Sequence, residues 1–383
     1  MKKVAIIGGG ISGLYMASLL RLNSNYEVSI YEKNNSVNLE KGYGIQLSVN
    51  SVKLLNKIGF QNINFEEKFF PNKVNFYSLK NKSKICDLDI SAFNSHEDKY
   101  TTLQRFTLID FLRNKIPSNL INFNKKVIEV QSESEITKVI FEDKSSIECD
   151  YLIISDGAFS KTRSLITNKE IKPSYFNSIA VRGIIDRNDL WNIDHNNISL
   201  FLGSNLHSVV YPVNQNGQFN FITILRKKLN SNELANYSLF NNDEFVSSTL
   251  FEISKQVDRN IVENLRDIKC FPVFVSTEIF QPKNKNTYII GDAFYTFPPT
   301  FAQGASQSIE VAHKLYKNFE NGNDHFNKER IKRTKMIDRK SKFNYFVFHF
   351  SNPLMIFIRN LLMRYLVKNN RFINSYVGKI YKN

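Results

Sequence analysis

The sequence predicts an α/β protein in which a domain built on a parallel sheet is interrupted by a mostly antiparallel sheet and followed by C-terminal helices. Three observations predict this arrangement. A buried apolar run leads through closely spaced glycines into a helix and then into a second apolar run. Short alternating stretches fill two later regions, and the pattern is helical from residue 305 onward. A chain of 383 residues has room for two domains.

The opening segment has the pattern of a strand–helix–strand unit. Residues 3–7 predict a buried strand, residues 11–22 a helix, and residues 27–32 the next strand. Four apolar side chains would share one face of the helix: Ile11, Leu14, Leu19 and Leu22. Such a unit places a helix N-terminus beneath a nucleotide phosphate.

A glycine fingerprint lies between the first strand and the helix. Gly8 would permit the tight turn, Gly10 would let a pyrophosphate approach the backbone, and Gly13 would let the helix pack on the strand. Glu32 ends the second strand, where its carboxylate can accept hydrogen bonds from ribose hydroxyls. Because the glycines stand between a strand and a helix, the motif predicts dinucleotide binding rather than an ordinary turn.

Two later stretches favour FAD over NAD as the bound dinucleotide. Residues 150–163 and 287–312 each predict a strand, a turn and a helix start. In the second stretch, Asp292 follows an apolar strand and can hold a ribityl or ribose hydroxyl. Gln303 and Gly304 open a helix there, and its N-terminus would face the electron-rich end of a flavin ring.

These segments divide the chain into three predicted units. The FAD-binding domain is discontinuous and comprises residues 1–71, 101–170 and 275–325. The sheet domain, expected to bind the substrate, comprises residues 72–100 and 171–274. Residues 326–383 form a C-terminal helical segment.

Composition bounds the partners and the compartment. Lys and Arg total 51 against 36 acidic residues, a formal charge of +15 that suits an anionic ligand, nucleic acid or an anionic membrane, or reflects a lysine- and asparagine-rich composition. We expect no nucleic-acid partner. The three cysteines are too widely spaced for a metal or redox pair, and the histidines show no ligand spacing, so no metal site is predicted. The short N-terminal apolar run is no cleavable signal, which predicts a cytoplasmic protein.

Three motifs in this order resemble those of the class A FAD-dependent monooxygenases, aromatic hydroxylases of the salicylate hydroxylase-like kind. The first is the GxGxxG turn. The second, DGxxSxxR, is matched by Asp156, Gly157, Ser160 and Arg163. The third, GDAAHxxxPxxGQG, is matched by Gly291, Asp292, Ala293, Pro299, Gln303 and Gly304. Lesser matches include GYGIQLSVNSVKLLNKIGF at residues 42–60 and QRFTLIDFL at residues 104–112.

The resemblance implies a Rossmann-type FAD-binding domain and a role for each matched residue. Four residues would line the ADP pyrophosphate: Gly8, Gly10, Ser12 and Gly13. Glu32 would bind the ribose, Arg105 and Asp292 would contact the rest of FAD, and Gln303 and Gly304 would lie near its ring system. Asp156 would support the flavin or a transient NADH or NADPH. The less favoured alternatives are a turn-forming acid for Asp156 and a surface ion-pair residue for Arg105.

The implied reaction is hydroxylation of an aromatic or other electron-rich small molecule with NAD(P)H and O2, through a flavin hydroperoxide. Arg182 and Tyr211 lie on candidate strands of the second sheet, where Arg182 would bind a substrate carboxylate and Tyr211 would polarise a hydroxyl. The alternative for both is an ordinary sheet residue. A flavin-dependent reductase or dehydrogenase, or a non-catalytic FAD-binding relative, would share the same cofactor motifs. Substrate, choice of nicotinamide and oligomeric state stay open.

The sequence departs from the third motif at three positions. Tyr295 replaces the family's histidine, Phe294 the alanine before it, and Ala302 the first glycine of GQG. Ala302 adds a methyl group where the backbone should approach the flavin, so a changed ring position or mobility is expected.

The C-terminal region is both apolar and basic. Residues 343–366 are apolar but interrupted by histidine, proline and arginine, and they predict either a pair of helices packed on the body or a basic amphipathic surface in peripheral contact with a membrane. Residues 328–342 carry eight basic and two acidic side chains, a pattern typical of a solvated helix face.

Overall fold

The computed structural model describes residues 1–37, 43–132, 135–167, 169–190, 193–321 and 326–381. The strands are β1 (Lys2–Ile7), β2 (Tyr26–Tyr31), β3 (Gly44–Leu47), β4 (Lys68–Phe69), β5 (Lys73–Ser78), β6 (Ser83–Asp89), β7 (Thr101–Gln104), β8 (Ile121–Asn122), β9 (Val127–Ser132), β10 (Thr137–Phe141), β11 (Ser146–Cys149), β12 (Tyr151–Ile154), β13 (Ser174–Asp186), β14 (Ile198–Leu202), β15 (Leu206–Pro212), β16 (Gln218–Arg226), β17 (Arg266–Val275) and β18 (Thr287–Ile289). The helices are α1 (Ile11–Leu20), α2 (Val49–Asn56), α3 (Arg105–Asn114), α4 (Lys161–Thr167), α5 (Ser231–Ala235), α6 (Asp243–Ser254), α7 (Arg259–Glu263), α8 (Gly304–Asn321), α9 (Phe326–Phe348), α10 (Pro353–Leu366), α11 (Asn370–Ile373) and α12 (Lys379–Tyr381).

A parallel sheet with strand order β18-β12-β1-β2-β8 holds the first predicted unit together. Its central strands are near-continuous apolar runs, as expected for a sheet covered on both faces. The parallel pairing brings the carboxyl ends of β1, β2, β12 and β18 to one edge. The residues that follow these strands, among them Gly8, Glu32, Asp156 and Gly291, therefore lie along that edge.

The first helix is shorter than predicted. It ends at Leu20, and Leu22 is 71% exposed rather than on the buried face. The helix ends here because the amides of Leu22 and Asn23 bond three residues back, in turns, instead of four. The Asn23 side chain then accepts a hydrogen bond from the amide of Asn25, which stabilises the turn. The remaining apolar face of α1 packs into the same core as α8.

A seven-stranded sheet with order β17-β13-β16-β15-β14-β5-β6 forms the second layer. Its pairings are antiparallel except between β14 and β5. Strands β5 and β6 come from the early alternating stretch of the chain, whereas the other five come from the later one. The predicted α/β class with an additional, mostly antiparallel sheet and C-terminal helices is confirmed.

The predicted solvated face of residues 328–342 is wrong for two of its arginines. Arg330 is buried and Arg333 is half-buried, because α9 crosses α8 where Glu310 lies in the interior, 2% exposed. Arg333 donates hydrogen bonds of 2.8 Å to both carboxylate oxygens of Glu310, and Arg330 donates one of 2.8 Å to Gln307 Oε1. The two arginines therefore fix α9 against α8.

Candidate functional site

The glycine turn after β1 has the geometry that the fingerprint predicts. Gly8 has a φ of +106°, and a Cβ there would stand 2.6 Å from the carbonyl oxygen of Ser155. A Cβ at Gly13 would stand 2.1 Å from the carbonyl oxygen of Gly8. Neither position therefore has room for a side chain. At Gly10, in contrast, no described residue other than its chain neighbours places an atom within 4 Å of an added Cβ, so the space in front of Gly10 is open with respect to the described residues.

Glu32 lies beside the glycine turn. Its Oε2 accepts a hydrogen bond of 2.8 Å from the amide of Gly9, and its Oε1 accepts one of 3.0 Å from the amide of Asn34. Helix α1 begins next to it without a side-chain cap and with no acidic residue in its first turn. The helix N-terminus therefore retains its partial positive charge for an anionic group.

The side chain of Ser12 connects α1 to α8. Its hydroxyl donates a hydrogen bond of 3.1 Å to the carbonyl oxygen of Ser308, and its Cβ lies 2.8 Å from where a Cβ at Gly291 would stand. The pyrophosphate role assigned to Ser12 would accordingly have to come from its backbone.

The DGxxSxxR segment is attached to the third motif by Arg163. This buried guanidinium donates hydrogen bonds to three carbonyl oxygens, those of Ala293 (2.5 Å), Ile171 (3.0 Å) and Ala158 (3.2 Å). Ser160 accepts a hydrogen bond of 3.0 Å from the amide of Arg163. The motif's arginine thus connects three backbone segments by hydrogen bonds, a structural role that the sequence pattern does not reveal.

Asp156, at the start of the same segment, has one carboxylate oxygen engaged and one free. Oδ2 accepts a hydrogen bond of 3.3 Å from the amide of Thr162, at the start of α4. Oδ1 is buried and has no hydrogen-bond partner among the residues that the structure describes. A buried oxygen in this position can accept a hydrogen bond from a bound ligand.

Asp292 and Arg105 carry opposite charges that influence each other across the site. The side chain of Asp292 is exposed and lines the cavity described below; the protein packed around it raises the pKa of its carboxyl, while the Arg105 guanidinium opposes the rise. Burial and the nearby Arg182 lower the pKa of Arg105, against the attraction of Asp292. Among the described residues, no group donates a hydrogen bond to the Asp292 carboxylate, so its acceptors are available to a ligand.

Helix α8 starts at Gly304, and its first turn lines the same cavity. The Gln303 side chain is buried, and its Oε1 accepts a hydrogen bond of 3.2 Å from Gln307. Gln307 in turn donates to Glu310, so the network around Arg330 reaches the start of the helix. Apart from its chain neighbours and its own helix backbone, no part of the described chain lies within 4 Å of an added Cβ at Gly304, so the helix N-terminus faces the cavity without a covering side chain from these residues.

Ala302 adopts the left-handed conformation, with φ of +51° and ψ of +35°. The family's glycine at this position therefore corresponds to a backbone shape that alanine adopts only with strain. The consequence of the departure is local strain, in addition to the extra methyl group that the sequence predicted.

We expect Ala302→Gly to raise the free energy of unfolding by about 1 kcal/mol, because the substitution relieves left-handed strain. Urea denaturation of the two proteins measures this difference. Ala305→Gly is the matched control, since Ala305 is similarly exposed but lies in the right-handed first turn of α8. The control should be unchanged or less stable, and equal effects of the two substitutions would contradict the explanation.

The other two departures lie away from the cavity wall. Phe294 and Tyr295 are both part of the hydrophobic core. Burial, together with the nearby carboxylate of Asp338, raises the pKa of Tyr295 well above its ordinary value, so the residue is a neutral phenol. The Arg330 guanidinium lies 5.9 Å from the centre of the Phe294 ring.

A cavity of about 600 Å³ lies between the seven-stranded sheet, the segment after β18 and helices α9 and α10. Its lining includes Asp292, Gln303 and Gly304 as well as Arg182 and Tyr211. Most of the remaining lining side chains are apolar. The cavity therefore brings together the third motif and the two residues proposed for the substrate, which are far apart in sequence.

Arg182 and Tyr211 are neighbours in this cavity. Arg182 Nη2 donates a hydrogen bond of 2.9 Å to the carbonyl oxygen of Gly44, and the guanidinium lies 5.1 Å from the centre of the Tyr43 ring. Its Nε is buried without a partner. Burial raises the pKa of Tyr211 to about 12, although the adjacent Arg182 and Gln46 oppose the rise.

Three polar residues that the sequence did not single out complete this wall. Tyr100 donates a hydrogen bond of 2.7 Å to Gln46 Oε1, and the Tyr100 ring packs 5.8 Å from that of Tyr381. All three line the cavity. Gln46 lies in GYGIQL, a segment matched to the family without a role, and Tyr381 reaches the site only because the chain returns to it after α10.

The described residues fit an FAD molecule lying along the edge of the parallel sheet. Within the described ranges, and leaving adjacent residues aside, an added Cβ at Gly10, Gly157 or Gly304 would meet no atom within 4 Å, so a ligand can approach the backbone at three turns. The partnerless Oδ1 of Asp156 and the Asp292 carboxylate offer acceptors between those turns.

Comparisons with known proteins agree with this geometry. Residues 1–321 match the family model described as FAD binding domain. The chain is 21% identical over 382 residues to 6-hydroxynicotinate 3-monooxygenase from Bordetella bronchiseptica, covering 96% of this chain and 98% of that protein. It is 25% identical over 227 residues to a salicylate hydroxylase from Pseudomonas putida, covering 55% of this chain and 51% of that protein. The crystal structure of HpxO from Klebsiella pneumoniae complexed with FAD and uric acid shares the fold, with a TM-score of 0.82 at 18% identity over 99% of this chain and 96% of that one.

The fold, the three motifs and these relatives define a flavoprotein monooxygenase of class A, as the sequence predicted. Because the family model spans most of its length, the chain belongs to the FAD binding domain family. The predictions of an FAD-dependent oxidoreductase, and of FAD as its cofactor, are confirmed.

Proposed function

We propose that this enzyme hydroxylates a small aromatic substrate with NAD(P)H and O2, and that the substrate binds in the cavity between the seven-stranded sheet and the start of α8. One observation carries the proposal: a largely apolar cavity of about 600 Å³ has Asp292, Gln303 and Gly304 in its wall together with Arg182 and Tyr211. A volume in this range suits a small aromatic ligand. The relatives named above support an aromatic ring as the substrate.

FAD, when bound, supplies the redox chemistry by accepting electrons from NAD(P)H and activating O2. The residues proposed to hold it lie along the edge of the parallel sheet. Gly8, Gly10 and Gly13 shape the pyrophosphate turn, with Ser12 contributing its backbone. The Glu32 carboxylate would accept hydrogen bonds from the ribose hydroxyls of FAD. Arg105 and Asp292 would contact the rest of the FAD molecule.

Asp156 is proposed to border the site where NAD(P)H approaches. Its free Oδ1 and the open space at Gly157 support this placement. The chain contains one GxGxxG motif, Gly8 to Gly13, so the nicotinamide cofactor is expected to bind transiently.

Arg182 and Tyr211 are proposed to orient the substrate. The guanidinium of Arg182 presents a positive charge to a carboxylate or phenolate. Tyr211 remains a protonated phenol at neutral pH because its pKa is about 12, so it can donate a hydrogen bond to a substrate oxygen. The apolar walls exclude water from the reacting ring.

Tyr211→Phe tests this assignment. Loss of the hydroxyl should lower kcat/KM for a hydroxylated aromatic acid on the order of tenfold, about 1.4 kcal/mol, because one hydrogen bond to the substrate is lost. The measurement is product formation by chromatography alongside NAD(P)H consumption. FAD content should be unchanged. Tyr237→Phe is the control, because Tyr237 is exposed and does not line the cavity. Wild-type kinetics in Tyr211→Phe would remove this residue from the substrate site.

A further inference from the structure

Helix α10 buries a charged side chain and exposes apolar ones, which is the reverse of an ordinary surface helix. Arg359 is its buried residue, 4% exposed, whereas most of its leucine, isoleucine, methionine and phenylalanine side chains face outward. Arg359 Nη1 lies 3.4 Å from the carbonyl oxygens of Val347 and Phe348 at the end of α9, and burial lowers its pKa to about 10. Arg364 Nε donates to the carbonyl oxygen of Ile85. The arginines of this helix thus attach it to the protein.

The exposed side of α9 and α10 forms one apolar surface, here called the C-terminal apolar face. Half of the large hydrophobic side chains exposed within the described residues lie in this short stretch: Phe343, Phe346, Leu354, Met355, Phe357, Ile358, Leu361, Leu362 and Tyr365. Scattered single residues are normal on a protein surface, but a contiguous patch of this kind marks a binding surface. The C-terminal apolar face is therefore a candidate binding surface.

The charge around this face selects the partner. Residues 339–383 contain nine Lys and Arg and no Asp or Glu. Lys335 and Arg339 are exposed on α9 before the face, and Lys368 and Arg371 are exposed after it. A second copy of the chain would bring like charges together, which opposes self-association. An anionic lipid surface offers both an apolar layer and negative charge.

We propose that the C-terminal apolar face docks this enzyme on anionic phospholipid membranes as a peripheral protein. Its apolar side chains would enter the headgroup boundary while the flanking cations contact lipid phosphates. Among the described residues, no helix has the length and apolarity to cross a bilayer, which fits docking rather than insertion. The proposal combines the two interpretations of residues 343–366: α10 is packed on the body through its arginines and has its apolar side exposed, while the membrane contact remains a prediction.

The cavity opens at the same face. Met355, Ile358 and Leu362 are exposed and also line the cavity. A docked molecule would therefore present its cavity mouth to the lipid. This orientation favours aromatic substrates that partition into membranes, a consequence that rests on the proposed function, whereas docking itself does not.

One stripe of α10 belongs to the face without lining the cavity. Leu354, Phe357, Leu361 and Tyr365 are 65%, 65%, 57% and 68% exposed and recur at helical spacing. Replacing these four with serine should leave FAD binding and the cavity unchanged. Four comparably exposed apolar residues elsewhere provide a matched control when changed to serine: Leu22, Phe65, Tyr237 and Phe251.

The test is cosedimentation of the FAD-loaded protein with vesicles of phosphatidylcholine, with and without phosphatidylglycerol. We expect wild type and control to sediment with the anionic vesicles, and the stripe variant to lose about tenfold or more of its partitioning. Should the stripe variant not fold, changing Lys335, Arg339, Lys368 and Arg371 to glutamine should abolish the preference for phosphatidylglycerol. The flavin spectrum verifies folding without any assay of hydroxylation, so docking and the proposed function can fail separately.

Three results would overturn the proposal. The first is a wild-type protein that anionic vesicles do not pellet at low salt, and the second is a stripe variant that binds these vesicles as wild type does. The third is a dimer in light scattering that becomes a monomer in the stripe variant, which would show that a second copy covers the face.

Discussion

Asp292→Ala is expected to weaken FAD retention by about 1.5 to 3 kcal/mol, because it removes a charge-assisted hydrogen bond to the cofactor. In the protein without FAD, the Asp292 carboxylate faces the cavity beside Arg105 and finds no hydrogen-bond donor among the described residues. Binding of FAD would provide that donor. Equilibrium titration of the flavin-free protein with FAD, followed by fluorescence, measures the loss.

The same substitution should not destabilise the flavin-free protein. The folded-state pKa of Asp292 is raised, so its ionised form is disfavoured by folding, and stability from this group falls as the pH rises through that pKa. Removing the carboxylate therefore relieves a cost at neutral pH. Asp143→Ala, which removes an exposed carboxylate paired with Lys125, is the control for FAD affinity. Unchanged FAD affinity in Asp292→Ala, or a clear loss of stability without FAD, would show that Asp292 is structural.

Glu310→Ala is expected to lower the free energy of unfolding by about 3 to 5 kcal/mol, because it leaves buried Arg330 without a compensating charge. Burial alone would raise the pKa of Glu310, but the hydrogen bonds and charge of Arg333 and the charge of Arg330 outweigh it, so its pKa is lowered. Urea denaturation at neutral pH measures the effect. Glu142→Ala, in the exposed pair with Lys126, should change stability by less than about 1 kcal/mol.

The pH dependence of this contribution follows from the lowered pKa of Glu310. Its stabilisation is fully present above the ordinary glutamate value of 4.5 and is lost as the pH falls through the lower folded-state pKa. The difference between wild type and Glu310→Ala should therefore shrink in acid. A difference that is small at neutral pH, or that grows in acid, would contradict the paired-charge explanation.

The parts of the site that were predictable depend on local sequence. The glycine turn at Gly8 to Gly13 and Glu32 after β2 follow from a strand–helix–strand pattern, because the spacing of the glycines between two apolar runs is visible in a short segment of sequence. The family's glycine at position 302 is compatible with the left-handed backbone seen at Ala302. That the alanine is strained there could be learned only from its backbone angles in the structure. The roles in binding and catalysis of the proposed site residues stay predictions.

Features that depend on long-range contacts could not be predicted. The basic run on α9 has the composition of a solvated face. Only the crossing of α9 over α8 brings Arg333 into hydrogen bonds with Glu310 and Arg330 into a hydrogen bond with Gln307, 3.7 Å from the Glu310 carboxylate. Arg359 is similar, since an arginine within an apolar helix gives no sign that it faces the protein. Tyr381 contacts Tyr100 because the chain after α10 returns to the cavity. No local sequence pattern predicts this return.

The most direct test of the proposed function uses oxygen gas labelled with the heavy isotope. The purified protein is supplied with NADH or NADPH and a panel of aromatic acids, phenols and polycyclic compounds, and products are analysed by mass spectrometry while peroxide is measured in parallel. We predict at least one compound that accelerates NAD(P)H consumption and gains one labelled oxygen atom per turnover. NAD(P)H consumption matched by peroxide across the panel, with no labelled product, would contradict hydroxylation and identify a flavin-dependent reductase instead.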